Sequence, residues 1–187
     1  MRIIGGTSRG RRLSGPSGAA IRPTADQVKE ALFNILADRT VGARFLDLFA
    51  GTGNIGLEAL SRRATQATFV ESNPTVCRLL EANVRRCGFE RVAEIHPVPV
   101  SRFLKHARGL AYDIIFLDPP YQTQDAQRVL PSLGSDAIIP PHGVVVVEHF
   151  HKTHLNDRIG HLVLVKTYRY GDTCLSVYQR DQVEASA

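Results

Sequence analysis

Four residues in the middle of the chain have the types and spacing to do chemistry: Asp118-Pro119-Pro120-Tyr121. They follow the apolar run Ile114-Ile115-Phe116-Leu117, which reads as a buried central strand. Neither proline has an N–H to give to a ladder, and each forces the residue before it out of the α region. The backbone therefore leaves the sheet stiffly at Asp118. Its carboxylate and the Asp118 and Pro119 carbonyls stand as acceptors, and an aromatic ring follows at once. Acceptors beside a flat ring suit a planar group that carries an amine.

A second stretch supplies a reaction partner. Leu46-Asp47-Leu48-Phe49-Ala50-Gly51-Thr52-Gly53-Asn54-Ile55-Gly56 reads as a strand, a glycine turn and the opening of a helix. Twenty residues past Gly51 comes Glu71, at the end of the next predicted strand, where an acid reaches the two hydroxyls of a ribose. The loop is therefore expected to hold a nucleoside. Gly51, Gly53 and Gly56 satisfy the dinucleotide pattern, but an acid at Asp47 is a poor neighbour for pyrophosphate and a good one for an ammonium. Asp118-Pro119-Pro120-Tyr121 also has no part in hydride transfer. S-adenosylmethionine, with its ammonium, sulfonium and ribose, fits better than NAD.

These residues need a scaffold that brings strand ends together. Strands are predicted over residues 44–49, 67–70, 91–98, 112–117 and 143–148, with helices over 54–62, 74–87, 101–108 and 124–133 between them. A helical turn is expected around 155–159, and two final strands over 162–169 and 174–179 flank the turn signal Tyr170-Gly171-Asp172. Strand–helix alternation predicts a doubly wound, mostly parallel sheet, whose ligands sit at the carboxyl ends of the strands. Ahead of it, Thr24 is a credible N-cap for a helix whose apolar stripe runs through Val28, Ala31, Leu32, Ile35 and Leu36. Residues 2–13 form short apolar pieces around a Gly/Arg-rich tip, as in a hairpin or extended arm.

The 187 residues carry a net charge of +5 and a pI near 9.4, a balance that suits polyanionic partners. Arg9, Arg11 and Arg12 gather on the arm, and Arg22 and Lys29 extend the same basic surface; together they are expected to clamp phosphates. Cys77, Cys87 and Cys174 form no C-x-x-C pair, which argues against a zinc site or a disulfide framework. Glu148-His149-Phe150-His151 with His154 imitates a metal cluster but has no recognised ligand spacing, so no metal is expected. The first residues lack the apolar core of a signal peptide and no run is long enough to span a bilayer. A soluble, cytoplasmic monomer is expected.

Asp47-x-Phe49-x-Gly51-x-Gly53 with Asp118-Pro119-Pro120-Tyr121 resembles the amino-methylating class I S-adenosylmethionine-dependent methyltransferases. The opening Met1-Arg2-Ile3-Ile4-Gly5-Gly6, with Arg9-Gly10-Arg11, Arg22-Pro23-Thr24 and Leu32-Phe33-Asn34, is similar to the RsmD family. That resemblance implies a Rossmann-like α/β fold: a seven-stranded, mostly parallel sheet with a C-terminal antiparallel hairpin. It further implies an RNA-binding extension over residues 1–40, a β-hairpin arm and helix, ahead of a methyltransferase domain over 41–187. The implied reaction is methylation of the exocyclic N2 amine of a guanine in 16S ribosomal RNA or the small ribosomal subunit. Asp118, Pro119, Pro120 and Tyr121 then act as the catalytic corner, with Tyr121 stacking on the base. Asp47, Phe49, Ala50, Gly51, Gly53, Glu71, Ser72, Val100 and Ser101 hold the cofactor. Many relatives carry Asp or Asn after the third strand for the adenine amine; here Pro99-Val100-Ser101 stands there, which leaves backbone groups or Ser101 for that task. An adenine-N6 or glutamine-amide methyltransferase, a non-catalytic RNA-binding or assembly factor, and a dehydrogenase are the rival readings.

Overall fold

The computed structural model describes residues 1–15, 23–107, 109–120, 125–134 and 138–181. Chain order gives α1 (Pro23–Leu36) and a 3₁₀ turn (Ala37–Thr40), then β1 (Arg44–Leu48), α2 (Asn54–Ser61), β2 (Gln66–Val70), α3 (Pro74–Cys87) and β3 (Ala93–His96). There follow α4 (Val100–His106), β4 (Ile114–Leu117), α5 (Asp125–Gly134), β5 (Val144–Phe150), β6 (Arg158–Ile159), β7 (Leu162–Tyr170) and β8 (Thr173–Arg180). Proline opens α3, the Asn73 side chain accepts from the Thr75 and Val76 amides, and Gly88 ends it in the left-handed region.

The strands form one sheet in the order β3-β2-β1-β4-β5-β8-β7-β6. The first five in that order are parallel to one another, and β8, β7 and β6 continue antiparallel. The topology therefore switches between β1 and β4, where a doubly wound sheet opens its ligand crevice. One strand exceeds the expected seven. Residues expected as a helical turn instead reverse at Gly160, and Arg158–Ile159 pairs with Leu162–Val163. A two-residue strand is too short to show any periodicity.

Side chains alternate between two cores. Phe45, Phe69, Phe116 and Val146 face α1, α2, α3 and the amino-terminal arm, while Leu46, Leu48, Leu117 and Val147 face α4 and α5. The arm is a narrow hairpin: Arg2 and Arg12 bridge, Ile3 N–H donates to the Arg11 carbonyl, and Leu13 N–H donates to the Met1 carbonyl. Ile3 and Leu13 belong to the first core, as do Val28, Leu32 and Leu36 of α1.

A buried ion cluster fixes the arm to α2. The fully buried Glu58 accepts from Ile4 N–H at 2.8 Å, Gly5 N–H at 2.7 Å and Arg62 Nε at 2.8 Å. Lys29 Nζ lies 3.4 Å from the same carboxylate and donates to the Arg2 carbonyl and Asn54 Oδ1. Burial pushes the Lys29 ammonium below its usual range, against the opposing pull of Glu58. This corrects the expectation that Lys29 is part of a basic surface. With 1% of its surface exposed, it neutralises a buried acid beneath the arm and cannot reach a phosphate outside.

Candidate active site

At the end of β1 the chain turns through Phe49 (φ 64°), Gly51 (φ 55°) and Gly53 (φ 84°) before entering α2. Phe49 is a bulky residue in the left-handed region, a strained placement that the surrounding structure must impose. At Gly53 any Cβ would lie 2.3 Å from Leu80 Cδ1, and at Gly56 2.3 Å from Phe69 Cε1. The third glycine thus sets how closely α2 lies on β2, while the first two shape the turn. Ala50 N–H donates to the Val70 carbonyl at 3.0 Å, which ties the loop to the end of β2.

Two acids brace this loop. Asp47 is buried and its Oδ2 accepts from Gly56 N–H at 2.9 Å. Burial lifts its carboxyl to about 7; the Gly56 hydrogen bond opposes the shift and the Glu71 charge adds to it. Glu71 spans outward from β2: Oε2 accepts from Gly51 N–H at 3.0 Å and Oε1 from Asn73 N–H at 2.7 Å. Each oxygen keeps a further lone pair.

Beside the loop lies a cleft of about 610 Å³. Phe49, Val70, Glu71 and Ser72 form one wall, and Pro99, Val100, Ser101 and Leu104 another. Lys105 and, from α5, Asp125, Arg128, Val129 and Ser132 complete it. A cleft with aliphatic patches at Val70, Val100, Leu104 and Val129 and polar groups around them suits a nucleoside: base between aliphatic side chains, ribose beside the Glu71 carboxylate. Asp47, Ala50, Gly51 and Gly53 belong to the adjoining loop and its support. The α4–α5 wall carries no motif, since helix residues that meet only across the sheet edge leave no local spacing to read.

Asp118 stands one residue past β4, its N–H 3.4 Å from the Leu48 carbonyl, which brings the proline corner beside the glycine loop. Asp118 and Pro120 are exposed and Pro119 is buried. Although Asp118 as a whole residue is exposed, the protein packed about its carboxyl, then the charges of Glu148 and Asp47, push that carboxyl above the usual carboxylate range, an effect that the solvent on its open side weakens. Tyr121 and Arg22 lie outside the described residues, as does the Thr24 side chain. Glu148, within β5 and next to Asp118 across the β4–β5 ladder, is a neighbour that sequence reading did not assign to the corner. An acid closing a predicted strand was the available signal, but only the strand order pairs the two.

The basic residues divide. Arg11 hydrogen-bonds to the Arg86 carbonyl, and Arg86 Nη1 donates to the Arg12 carbonyl at 3.3 Å, so Arg11 and Arg12 meet Arg86 in the last turn of α3, which also carries Arg85. Arg9 lies instead on the other side of the arm, with Arg2 and Arg62 around a 300 Å³ hollow. Among the described residues no group of His, Cys, Asp and Glu could hold a metal. The ring nitrogens of His149 lie 3.0 Å from the Phe150 carbonyl and 2.8 Å from Ser176 Oγ. No helix among the described residues is long and apolar enough to cross a membrane.

A glycine loop after β1, an acid after β2, an acceptor corner after β4 and an antiparallel hairpin closing a parallel sheet define a class I methyltransferase fold. The model of the family described as Conserved hypothetical protein 95 matches residues 1–179, and the chain belongs to that family, the RsmD family that its motifs resemble. The protein named Ribosomal RNA small subunit methyltransferase D of Escherichia coli (strain K12) is 38% identical over 150 residues, 79% of this chain and 74% of that one. Its namesake in Haemophilus influenzae is 37% identical over 151 residues, 79% of this chain and 78% of its own. The structure of yhhF from Escherichia coli, solved as a candidate methyltransferase, superposes with a TM-score of 0.83 at 34% identity, covering 97% of this chain and 98% of that one.

Proposed function

We propose that this chain is an S-adenosylmethionine-dependent methyltransferase of small-subunit (16S) ribosomal RNA, acting in the cytoplasm on the exocyclic N2 amine of a guanine. The observation that carries the reading is the acceptor corner at Asp118 set beside the glycine loop at the switch of strand order. The names of the Escherichia coli and Haemophilus influenzae relatives support the ribosomal RNA substrate.

Bound S-adenosylmethionine supplies an electrophilic methyl group, and the chain's own residues do the rest. Glu71 receives the ribose hydroxyls, Phe49, Val70 and Val100 enclose the base, and Ser72 and Ser101 line the same walls. Asp47 faces the ammonium side of the loop. The guanine amine is a poor nucleophile because its lone pair is delocalised into the ring. Acceptors at the Asp118 carboxylate and the Pro119 carbonyl, about 3 Å from the two N–H bonds, draw the nitrogen toward a tetrahedral shape and aim its lone pair at the methyl carbon. The N–C bond forms as the S–C bond breaks, and the amine gives up one proton, with Asp118 the nearest carboxylate to hold it. A target base inside a helix leaves its stack first.

Residues 1–40 are assigned to RNA contact, with Arg11, Arg12, Arg85 and Arg86 as the phosphate-facing strip. Replacing both Arg11 and Arg12 with alanine is expected to weaken RNA binding and to lower the log–log salt slope by roughly 1.4–1.8, two phosphates' worth. Titrations against potassium chloride read the slope; an unchanged value returns both arginines to ordinary solvated surface.

Asp47 adds a pH signature. Its carboxyl sits at about 7 in the free protein, and an incoming ammonium requires the carboxylate. Cofactor binding therefore releases a proton between pH 5 and 7, and affinity falls with falling pH by up to about tenfold per unit. Calorimetry in buffers of different ionisation enthalpy measures the release. Flat affinity across that window removes Asp47 from cofactor contact.

The overall assignment is tested with labelled methyl donor and small subunits from a strain lacking the enzyme, followed by mapping of the modified nucleoside. N2-methylguanine in the small-subunit RNA is the expected product; no transfer, or transfer to another atom, overturns the assignment.

A further inference from the structure

Two amine-bearing purines differ at the atom beside the amine. Guanine presents N1–H next to its N2 amine, a continuous row of donors; adenine presents a bare N1 acceptor next to its N6 amine. Among the described residues, the corner from Asp118 to Pro120 offers acceptors only, and it is wider than one residue. β4 and β5 run parallel with Leu117 opposite Val147, so Asp118 and Glu148 occupy the next positions on adjacent strands. Phe116 and Val146 both face the α1–α3 layer, and side chains alternate along a strand. Two residues on, Asp118 and Glu148 lie on that same face, abreast on strands about 4.8 Å apart. The backbone at Glu148 is held from the far side as well, where it pairs with Leu175 of β8. Glu148 is half-buried, and its negative charge is felt at Asp118.

We propose that Glu148 accepts the N1–H of the target guanine while Asp118 and the Pro119 carbonyl hold its N2 amine, so that the paired acids select guanine and reject adenine. The inference rests on the N2-guanine reading above and assigns its base specificity. A donor row relieves the mutual repulsion of two adjacent carboxylates. The lone pair of adenine N1 would face one of them with nothing to donate. Electrostatics of this kind act as a filter: the right edge gains a charge-assisted hydrogen bond, and the wrong edge meets like polarity.

The test replaces the mapped target guanine with 2-aminopurine, which keeps the 2-amine but has a bare nitrogen at position 1. Wild-type protein is expected to prefer guanine over 2-aminopurine in kcat/KM by roughly 100-fold, the scale of a hydrogen bond to a charged group. In Glu148→Gln that preference should shrink at least about tenfold, because the amide can donate to the bare nitrogen. S-adenosylmethionine affinity, measured by calorimetry, should hold within about twofold, reporting an intact fold. If the variant slows both substrates equally, Glu148 has only a structural role and the inference is overturned. If it slows neither, the same conclusion follows. Should Glu148→Gln lose the cofactor, Glu148→Asp, which keeps the charge but retracts it by one methylene, carries the same comparison. N2-methylguanine formed by the wild type, together with an unaltered preference in the variant, defeats this inference alone. Absence of guanine methylation by the wild type defeats it along with the reading beneath it.

Discussion

Asp118→Ala is expected to lower the single-turnover rate of methyl transfer by roughly 10²–10³-fold, with S-adenosylmethionine affinity within about twofold of wild type. The magnitude follows from removing an acceptor that acts most strongly in the transition state, when the amine develops positive charge beside the carboxylate. Cofactor affinity is spared because Asp118 lies past β4, while the cleft is walled by residues following β1 and β2 and by α4 and α5. A pH profile sharpens the test. Enclosure and the neighbouring Glu148 and Asp47 charges raise the Asp118 carboxyl, and only its ionised form accepts both the hydrogen bond and the departing proton. Turnover should therefore climb with pH through that raised range and level off above it. Asp118→Asn keeps one carbonyl acceptor without the charge, so it should retain part of the rate and lose the slope. Undiminished transfer by Asp118→Ala would remove this residue from the chemistry.

Glu58→Ala should produce the largest loss of stability, about 3–5 kcal/mol, or a fall in Tm on the order of 10 °C. The acid is fully buried, and removing it orphans the Lys29 ammonium together with the Ile4 and Gly5 amides and the Arg62 guanidinium. The penalty comes chiefly from the charge left behind, which makes a second variant informative. Lys29→Met combined with Glu58→Leu removes both buried charges and should recover much of the loss. Chemical denaturation of the wild type and the two variants reads how much stability the double replacement recovers. A single-variant loss below about 1 kcal/mol would place water, and not protein, around Lys29.

Much of the glycine loop and of the Asp118–Pro120 turn is legible in the sequence because both are written in consecutive residues. Glycine, proline and strand-ending acids announce their backbone consequences locally, and the strand–helix alternation predicted the parallel sheet with boundaries within two or three residues for most elements. Lys29 was misread for the opposite reason. It sits beside Val28 at the margin of the apolar stripe on α1, where an isolated helix would leave it in water. Only the arm folded across it, with Glu58 opposite, buries it. Glu148 was passed over because its significance lies in a neighbour thirty residues earlier, on a strand whose adjacency no local pattern encodes. The α4–α5 wall and the two-residue β6 are equally products of tertiary contact.

The anchoring of the arm has a practical corollary for trimming the chain. A fragment starting at residue 41 would resemble a minimal catalytic unit on paper, yet it would strip Ile3, Leu13, Val28, Leu32 and Leu36 from a shared core and strand Glu58 without its lysine. Such a fragment is expected to be recovered as aggregate, and mapping RNA affinity by deletion would then confound lost contacts with lost folding. Point changes at arginines whose guanidinium groups do not tie the arm to α3, as those of Arg11 and Arg86 do, keep those two effects apart.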